Sequence, residues 1–568
     1  MNYLAVDFGT TNSLVGVIDE YGKLNLVPLD GSNYEMPSSI FLKVVHESPL
    51  EINLEYLESK AEKFFAEDQV RFENDQTAVA KKIKEFIQAN RPKLIKPKPT
   101  YSYSNANQKK LEQYERDLKD YPKIFKIFLE TEVVKKEIEL KSQIRGPISL
   151  EQAKKKIKLS MEQDLIDAEV DGLGEQTFFT ALNSDETVAF FGNTAVIEYL
   201  KAPLSGFFMG SPKAFLAVQL NDSQKELFVR VMTLVLTEIK RRSEEYLGFT
   251  CEGVVFGRPV NYMGSEQGGG NQQALAIMRK AAVSAGFNEV RFVIEPMAAA
   301  LAISKTIFES NLPVLLLDIG GGTTDAVMLN VDSASDEKLT VIGSAGERVG
   351  GCDFDQSIAI SKIGPFIGMN SILKSGAYAP NGIVIDGLST RDIHKQARFR
   401  KSGHQINTLI NASSEPISFQ RLLQIMQQQL QHRLLLNSEG LKKSLVDAEA
   451  ITFEVDYLMN PIKISIARSD IRKVCEGEII RILQIVKETL SLRDTATKQY
   501  RVFMTGGMSI SNGVVDAVQE VISPGIAIRR IPALRSVVAG LTVVARQLSL
   551  SQSIHTEPSS VRGIPIER

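Results

Sequence analysis

Apolar positions along the 568-residue chain fall into short runs whose period changes repeatedly. Val314-Leu315-Leu316-Leu317 is a continuous apolar run of the kind that makes a buried strand. It enters Asp318-Ile319-Gly320-Gly321-Gly322-Thr323-Thr324-Asp325, and Ala326-Val327-Met328-Leu329 leaves it. The three glycines predict a tight turn between two strands. The same design occurs near the beginning, where Leu4–Val6 enters Asp7-Phe8-Gly9-Thr10-Thr11-Asn12-Ser13 and Leu14–Ile18 leaves it. A third strand follows each hairpin, at Leu24–Leu29 and at Lys338–Gly343. Recurrence of strand, acid, Gly, Thr-Thr and strand points to an internal duplication.

Between these landmarks the pattern predicts a mixed α/β chain with a helical block inserted in its first half. Residues 1 to about 45 form the first meander. From about 46 to 185, Glu55–Phe72, Ala78–Ala89, Leu111–Lys141 and Leu150–Ile166 carry helical spacing and dense charge. Ser149, with Gln152 three residues later, caps the last of these. The proline-rich Arg91–Pro99 cannot be regular helix. This block is either a solvated decoration or a docking arm for a protein partner.

Mixed α/β character returns over 185–312. There are helices at Ser223–Leu247 and Asn271–Ala285, a strand in Gly253–Asn261 that ends at a proline, and a strand Val290–Ile294 that ends in Glu295-Pro296. Gly350-Gly351-Cys352-Asp353-Phe354-Asp355 opens a helix, and 365–415 shows no readable period. Phe419–Leu445 reads as one long helix, and Ile451–Val455 with Ile462–Ile466 as a hairpin. A helix over Ser469–Leu490 follows, then a strand Val502–Thr505 entering Gly506-Gly507, and a last helix Leu534–Leu548. The expected division is a first lobe over 1–312, a second over 313–548, and a polar, disordered tail over 549–568.

Composition adds limits. A net charge of −2 gives no overall pull toward nucleic acid or an acidic membrane surface. Cys251, Cys352 and Cys475 are scattered without metal or disulfide spacing, which fits a reducing compartment. The five histidines also lack metal spacing. No apolar run approaches the roughly 18 residues that span a bilayer. The expectation is a soluble, cytoplasmic protein.

The hairpins suggest a chemistry. Glycine lets backbone N–H groups approach a phosphate closely, and strand-end carboxylates can hold a divalent cation. One such hairpin alone is also simply a glycine-rich turn. Two facing each other make a phosphate grip.

Five motifs then occur in order: D-F-G-T-T-N-S at 7–13, E-P-M-A-A-A at 295–300, D-I-G-G-G-T-T-D at 318–325, G-G-C-D-F-D at 350–355 and T-G-G-M at 505–508. Together they resemble the nucleotide-binding domain of the DnaK-type heat-shock protein 70 family, within the actin/hexokinase superfamily. F-G-R-P-V-N at 256–261 and S-P-K-A-F-L at 211–216 look closest to its YegD-like branch. The resemblance covers 1–45 and roughly 185–548. It implies an actin-like ATPase fold with two related lobes around a cleft, ATP and Mg²⁺ as cofactors, slow hydrolysis and a chaperone-like role. A small-molecule kinase or an actin-like filament subunit of the same superfamily are the alternatives.

Carried over position by position, the resemblance implies that Asp7 and Asp318 hold Mg²⁺ through its waters. Gly9, Thr10, Thr11 and Asn12 would bind phosphates from one lobe, and Gly320, Gly321, Gly322 and Thr323 from the other. Gly350, Gly351, Gly506 and Gly507 would complete the nucleotide contacts. Lys213 would stabilise the transferred phosphoryl group, while Glu295 and Asp325 order the metal shell and the attacking water. Glu439, Lys442 and Lys443 match the helix that contacts the nucleoside.

Two departures stand out. No β-rich peptide-binding domain is recognised after the last helix, so capture of apolar peptides by that route is not expected. Around the base, Val446, Met508 and Ile510 stand where the family has serine, serine and a stacking arginine. Weaker ATP affinity and poor discrimination against GTP follow.

Overall fold

The computed structural model describes residues 2–18, 23–44, 54–93, 105–144, 146–158, 161, 187–262, 269–333, 338–493, 499–532, 535–552 and 558–567. The chain divides into two compact units, residues 1–45 together with 175–568, and residues 46–174.

Two large sheets organise the first unit. One runs in the order β3 (Leu24–Val27), β2 (Asn12–Ile18), β1 (Tyr3–Phe8), β8 (Gly253–Arg258), β9 (Glu289–Ile294), with β4 (Met36–Pro37) also on β2. The other runs β12 (Lys338–Glu347), β11 (Thr324–Asp332), β10 (Val314–Ile319), β15 (Arg501–Thr505), β16 (Ile528–Arg530). In each, an antiparallel three-stranded meander is extended by two parallel strands on the far side of its first strand. A smaller sheet places β5 (Ser39–Val44) between β6 (Thr187–Phe191) and β7 (Gly206–Gly210), and β13 (Ala450–Val455) pairs with β14 (Ile462–Ala467).

The pleat explains why the central strands are apolar without alternation. Val314 and Leu316 enter one core, while Leu315, Leu317 and Ile319 enter another. A strand covered on both faces reads as a continuous apolar run. In β1, Tyr3 and Ala5 join the same core as Val314 and Leu316, whereas Leu4, Val6 and Phe8 pack on the opposite side. One core therefore takes side chains from both large sheets. By the two-residue period, Asp7 and Asp318 share the face of that common core and stand at the strand ends, where it opens.

Helices Glu295–Ala302 and Ser536–Gln552 fill the common core and cross each other closely. The crossing depends on Gly540, where any Cβ would collide with the Ala298 carbonyl. Gly540→Val is therefore expected to lower folding stability by about 1–3 kcal/mol or more through overpacking. A clear drop in denaturation midpoint checks this, and an unchanged midpoint would show that the helices can separate freely.

Several sequence expectations change. The stretch expected to be one helix over Phe419–Leu445 is two, Pro416–Gln427 and Gln431–Ser444, because Gln429 adopts φ +49°, a left-handed conformation that ends the first. The unread 365–415 stretch holds short helices at Gly382–Gly387, Ile393–Arg400 and Gly403–Ala412.

The 549–568 tail, expected to be disordered, is ordered over its last described part. The final helix reaches Gln552, and residues 558–567 fold against the sheets through β17 (Ser560–Val561) and β18 (Ile564–Pro565). Leu339 N–H donates to the Arg562 carbonyl at 2.9 Å, and Phe292 and Glu567 exchange two backbone hydrogen bonds. Val561 and Ile564 are buried in the common core, which offsets the polarity of their neighbours. Of the expected turn Glu20–Lys23 only Lys23 is described, and of the glycine run Gly268–Gly270, expected to be a loop, Gly268 lies outside the described residues while Gly269 caps and Gly270 opens the helix Gly270–Ser284.

In the second unit, the two helices expected before Arg91 are one, Leu54–Asn90. Helices Asn105–Phe128 and Val134–Ser142 are joined by a short π-helical turn. A column of aromatic rings, Phe86, Phe128, Phe125 and Tyr121, packs with centroids 5.9–6.4 Å apart. Ser149 and Gln152 form the expected capping box at the start of the helix over 150–158. Among the described residues, no helix is long and apolar enough to cross a membrane.

Candidate functional site

The two acid–glycine hairpins close in the same way. Gly9 N–H donates to the Asn12 carbonyl at 3.1 Å, and Gly320 N–H to the Thr323 carbonyl at 2.9 Å. Each turn thus spans four residues between paired strands. Asp7 pairs across its hairpin with Leu14, and Asp318 with Asp325. Only the second hairpin therefore carries an acid on its return strand.

The tips meet. A Cβ on Gly321 would collide with the Thr11 side chain, and one on Gly322 with the side chain of Thr10. A third turn backs the second, as Gly351 N–H and Cys352 N–H donate to the Gly320 and Gly321 carbonyls at 3.0 and 2.7 Å.

A cavity of about 290 Å³ opens beside these tips. Asp7, Gly9, Thr10, Thr11 and Asn12 line it from β1–β2, and Asp318, Gly320, Gly321 and Thr323 from β10–β11. Lys213, Glu295, Gly351, Gly506 and Gly507 also reach it, as do Glu439, Lys442 and Lys443 on helix Gln431–Ser444. Gly322, Gly350 and Asp325 do not line it; Asp325 sits behind, with Oδ1 accepting from Val260 N–H at 2.6 Å.

At the floor, Lys213 Nζ lies 2.6 Å from Glu295 Oε1, and the lysine side chain is only 6% exposed. Four carboxylates, those of Asp7, Asp318, Asp325 and Glu295, thus share one ammonium. Burial pushes the Asp7 carboxyl up to about 7, with Glu295 adding repulsion and Lys213 opposing it. Burial and Glu295 push Asp325 up to about 7. Asp318 is driven well above its ordinary value by burial, then by Glu295, Asp325 and Asp7. Burial works against the Lys213 ammonium, but Glu295, Tyr262 and Asp7 outweigh it and raise its pKa.

Excess buried negative charge is the donor chemistry a hydrated divalent cation requires. Among the described residues, no three His, Cys, Asp or Glu side chains are placed to ligate one metal directly. Mg²⁺ usually takes only one or two carboxylates and keeps its waters, so Asp7 and Asp318 fit it.

A pH dependence follows. Near pH 6, carboxyls with pKa values near 7 carry protons that a cation must displace. Mg²⁺ uptake is expected to release more protons at pH 6 than at pH 8, and to tighten as pH rises between them. Calorimetry in buffers of differing ionisation enthalpy measures the release, and equal release at both pH values would remove these carboxyls from the metal site.

The far end of the cavity is apolar. Leu445, Val446, Ile471, Met508 and Ile510 line it, the last half-exposed. Lys443 pairs with Glu439 at 2.7 Å, and Lys442 with Asp355 at 2.7 Å. Burial lifts Asp355 to about 6 against the pull of Lys442.

Arg468 also lines this end, and the sequence reading assigned it no role. It donates to the Leu445 carbonyl at 2.8 Å and the Val446 carbonyl at 3.0 Å, and pairs with Glu449 at 2.9 Å. The β13–β14 hairpin brings it back beside Val446, a juxtaposition that no local pattern signals. Glu35, likewise unassigned, lines the cavity and accepts from Asn12 Nδ2 at 3.2 Å.

The mixed α/β architecture, with several sheets and many helices, is compatible with an actin-like ATPase fold. A family model described as Hsp70 protein matches residues 211–365. That segment contains Lys213, Glu295, the whole β10–β11 hairpin and the Gly350–Gly351 turn. Over it, the chain is similar to a nucleotide-binding family whose members generally take ATP with Mg²⁺.

Proposed function

We propose that the chain binds ATP with Mg²⁺ in this cavity and hydrolyses it slowly, as an atypical, chaperone-like relative of the Hsp70 proteins. The observation that carries the reading is the meeting of two like-closed acid–Gly–Thr turns, one from each large sheet, around the Lys213–Glu295 pair. The two sheets' common strand order supports a pair of related lobes, 1–312 and 313–548, whose closure nucleotide would control.

When bound, Mg²⁺ would neutralise phosphate charge, which would open the γ-phosphorus to attack by water and ease departure of ADP with the bridging oxygen. The protein's own residues do the rest. Asp7 and Asp318 fix the metal's waters. Backbone N–H groups of the two turns orient the phosphates. Lys213 supplies positive charge where negative charge builds up on the transferred group, and Glu295, with Asp325 behind the cavity wall, orients the attacking water. At the other end, Glu439 and Lys442 reach the ribose side, and the apolar wall with the Arg468 guanidinium takes the base. The Arg468 nitrogens already donate to protein acceptors, so the group offers its face to a base and does not read its edge.

Residues 46–174 form their own compact unit, and we read them as a docking arm for a protein partner. Free cysteines fit a cytoplasmic setting. Phosphate release from ATP, followed with and without small-molecule acceptors, tests the reading. Acceptor-independent release supports it. Transfer to an acceptor instead would make the protein a kinase.

A further inference from the structure

The loop that leaves β8 carries a device unused by the site as described so far. Arg258, the last residue of β8, has a side chain only 12% exposed. One edge of its guanidinium meets the Glu567 carboxylate twice, with Nε donating to Oε2 at 2.7 Å and Nη2 to Oε1. Its other nitrogen, Nη1, donates to the Pro259 and Val260 carbonyls at 2.8 and 3.1 Å. The next contact belongs to the site, because Val260 N–H donates to Asp325 Oδ1 at 2.6 Å.

Glu567 is itself held in place. Its N–H and carbonyl both bond Phe292, at 2.9 Å each, on the strand that runs on into Glu295. Upstream, the Arg562 carbonyl is fixed by Leu339 N–H on β12. That strand pairs Gly346 with Asp325. The ordered tail therefore touches the strand behind each of two site carboxylates.

We propose that Glu567 and Arg258 are positioning residues that hold the Val260 N–H against Asp325 and so set the orientation of its carboxylate. The inference rests on the ATPase reading for its kinetic consequence, but its structural consequence stands apart. An arginine so little exposed needs its bidentate carboxylate to stay in place. Without Glu567, the guanidinium turns toward water and lets go of the two carbonyls. The peptide between them is then free to rotate, and Asp325 loses that backbone donor and keeps only the Thr323 side chain to orient it. Nucleotide contacts are not part of this relay, so affinity is spared while the chemical step suffers.

The full-length Glu567→Ala and Glu567→Asp variants test it by two readings. Amide exchange at Val260, followed by NMR without nucleotide, is expected to speed up by about tenfold in Glu567→Ala and less in Glu567→Asp. Single-turnover hydrolysis of Mg²⁺-ATP is expected to slow by about tenfold in Glu567→Ala, the scale of losing an outer-shell partner. ATP dissociation constants should stay within about threefold, which is below 1 kcal/mol, and Glu567→Asp should recover most of the rate. Unchanged Val260 exchange overturns the relay whatever the enzyme does. Faster exchange with unchanged hydrolysis rate shows that the relay does not serve Asp325. Affinity falling as much as rate would reduce the pair to a structural brace. Failure of the unaltered chain to bind Mg²⁺-ATP would instead remove the ATPase reading, and would show itself before any variant is compared.

Discussion

Lys213→Ala is expected to slow ATP hydrolysis by about 10²–10³, the range for loss of one group aimed at developing charge. ATP affinity should change much less, because the phosphate-gripping N–H groups of both turns remain. The variant also leaves Glu295 without its 2.6 Å partner. Removing one member of a buried ion pair commonly costs about 3–5 kcal/mol. The four carboxylates then hold no nearby ammonium, and the nucleotide-free fold should weaken. Mg²⁺ supplies positive charge to the same cluster, so it should restore more thermal stability to Lys213→Ala than to the unaltered chain. Single-turnover rates and melting curves with and without Mg²⁺ read both effects. Hydrolysis at the unaltered rate would make Lys213 a structural partner of Glu295 and nothing more.

Gly321→Val acts on the grip itself. Its Cβ would occupy the place of the Thr11 side chain. The two tips must then separate, and neither can present its backbone N–H groups as drawn. A loss of ATP affinity of about a hundredfold, equivalent to roughly 2.7 kcal/mol, is expected. Thr11→Ala removes part of the obstruction, so the double variant Gly321→Ala/Thr11→Ala should bind better than Gly321→Ala alone. Such coupling is the mark of residues in contact. Simple additivity in that cycle would mean that the tips do not meet in solution.

How far the sequence discloses this site depends on the range of the interaction concerned. The two hairpins are legible because acid, glycine and Thr-Thr lie in one short stretch, and because the flanking runs have strand character. The capping box at Ser149 is equally local. Asp7 and Asp318 stand out locally as strand-end acids, whereas Lys213 and Glu295 could be nominated only through the resemblance. Their convergence comes from strand phase, which turns Asp7 and Asp318 to the same face as Ala5 and Leu316.

Three features escaped for physical reasons. Residues 558–567 have polar composition and strands of only two residues, and their order comes from the edges of β9 and β12. Arg468 reaches Val446 only after β13–β14 has folded back. The break in the helix after Gln427 lies in a run of glutamines with no glycine or proline, and only the left-handed Gln429 reveals it.

Arg468 also bears on base choice. From sequence, the base end lacks cations apart from those of helix Gln431–Ser444, and the structure adds one. Because its nitrogens are engaged by Leu445, Val446 and Glu449, on the proposed reading it would add affinity for any stacked ring without selecting adenine. ATP and GTP should therefore bind within about a hundredfold of each other, a span of roughly 2.7 kcal/mol.

The most direct test is calorimetric titration of the full chain with ATP, in Mg²⁺ and in excess chelator, repeated on the Asp7→Asn/Asp318→Asn variant. The account predicts one ATP per chain, binding that weakens at least tenfold without Mg²⁺, and a variant whose affinity no longer responds to the metal. ATP binding that is equally tight with and without Mg²⁺, or a variant that keeps the full metal response, would contradict it.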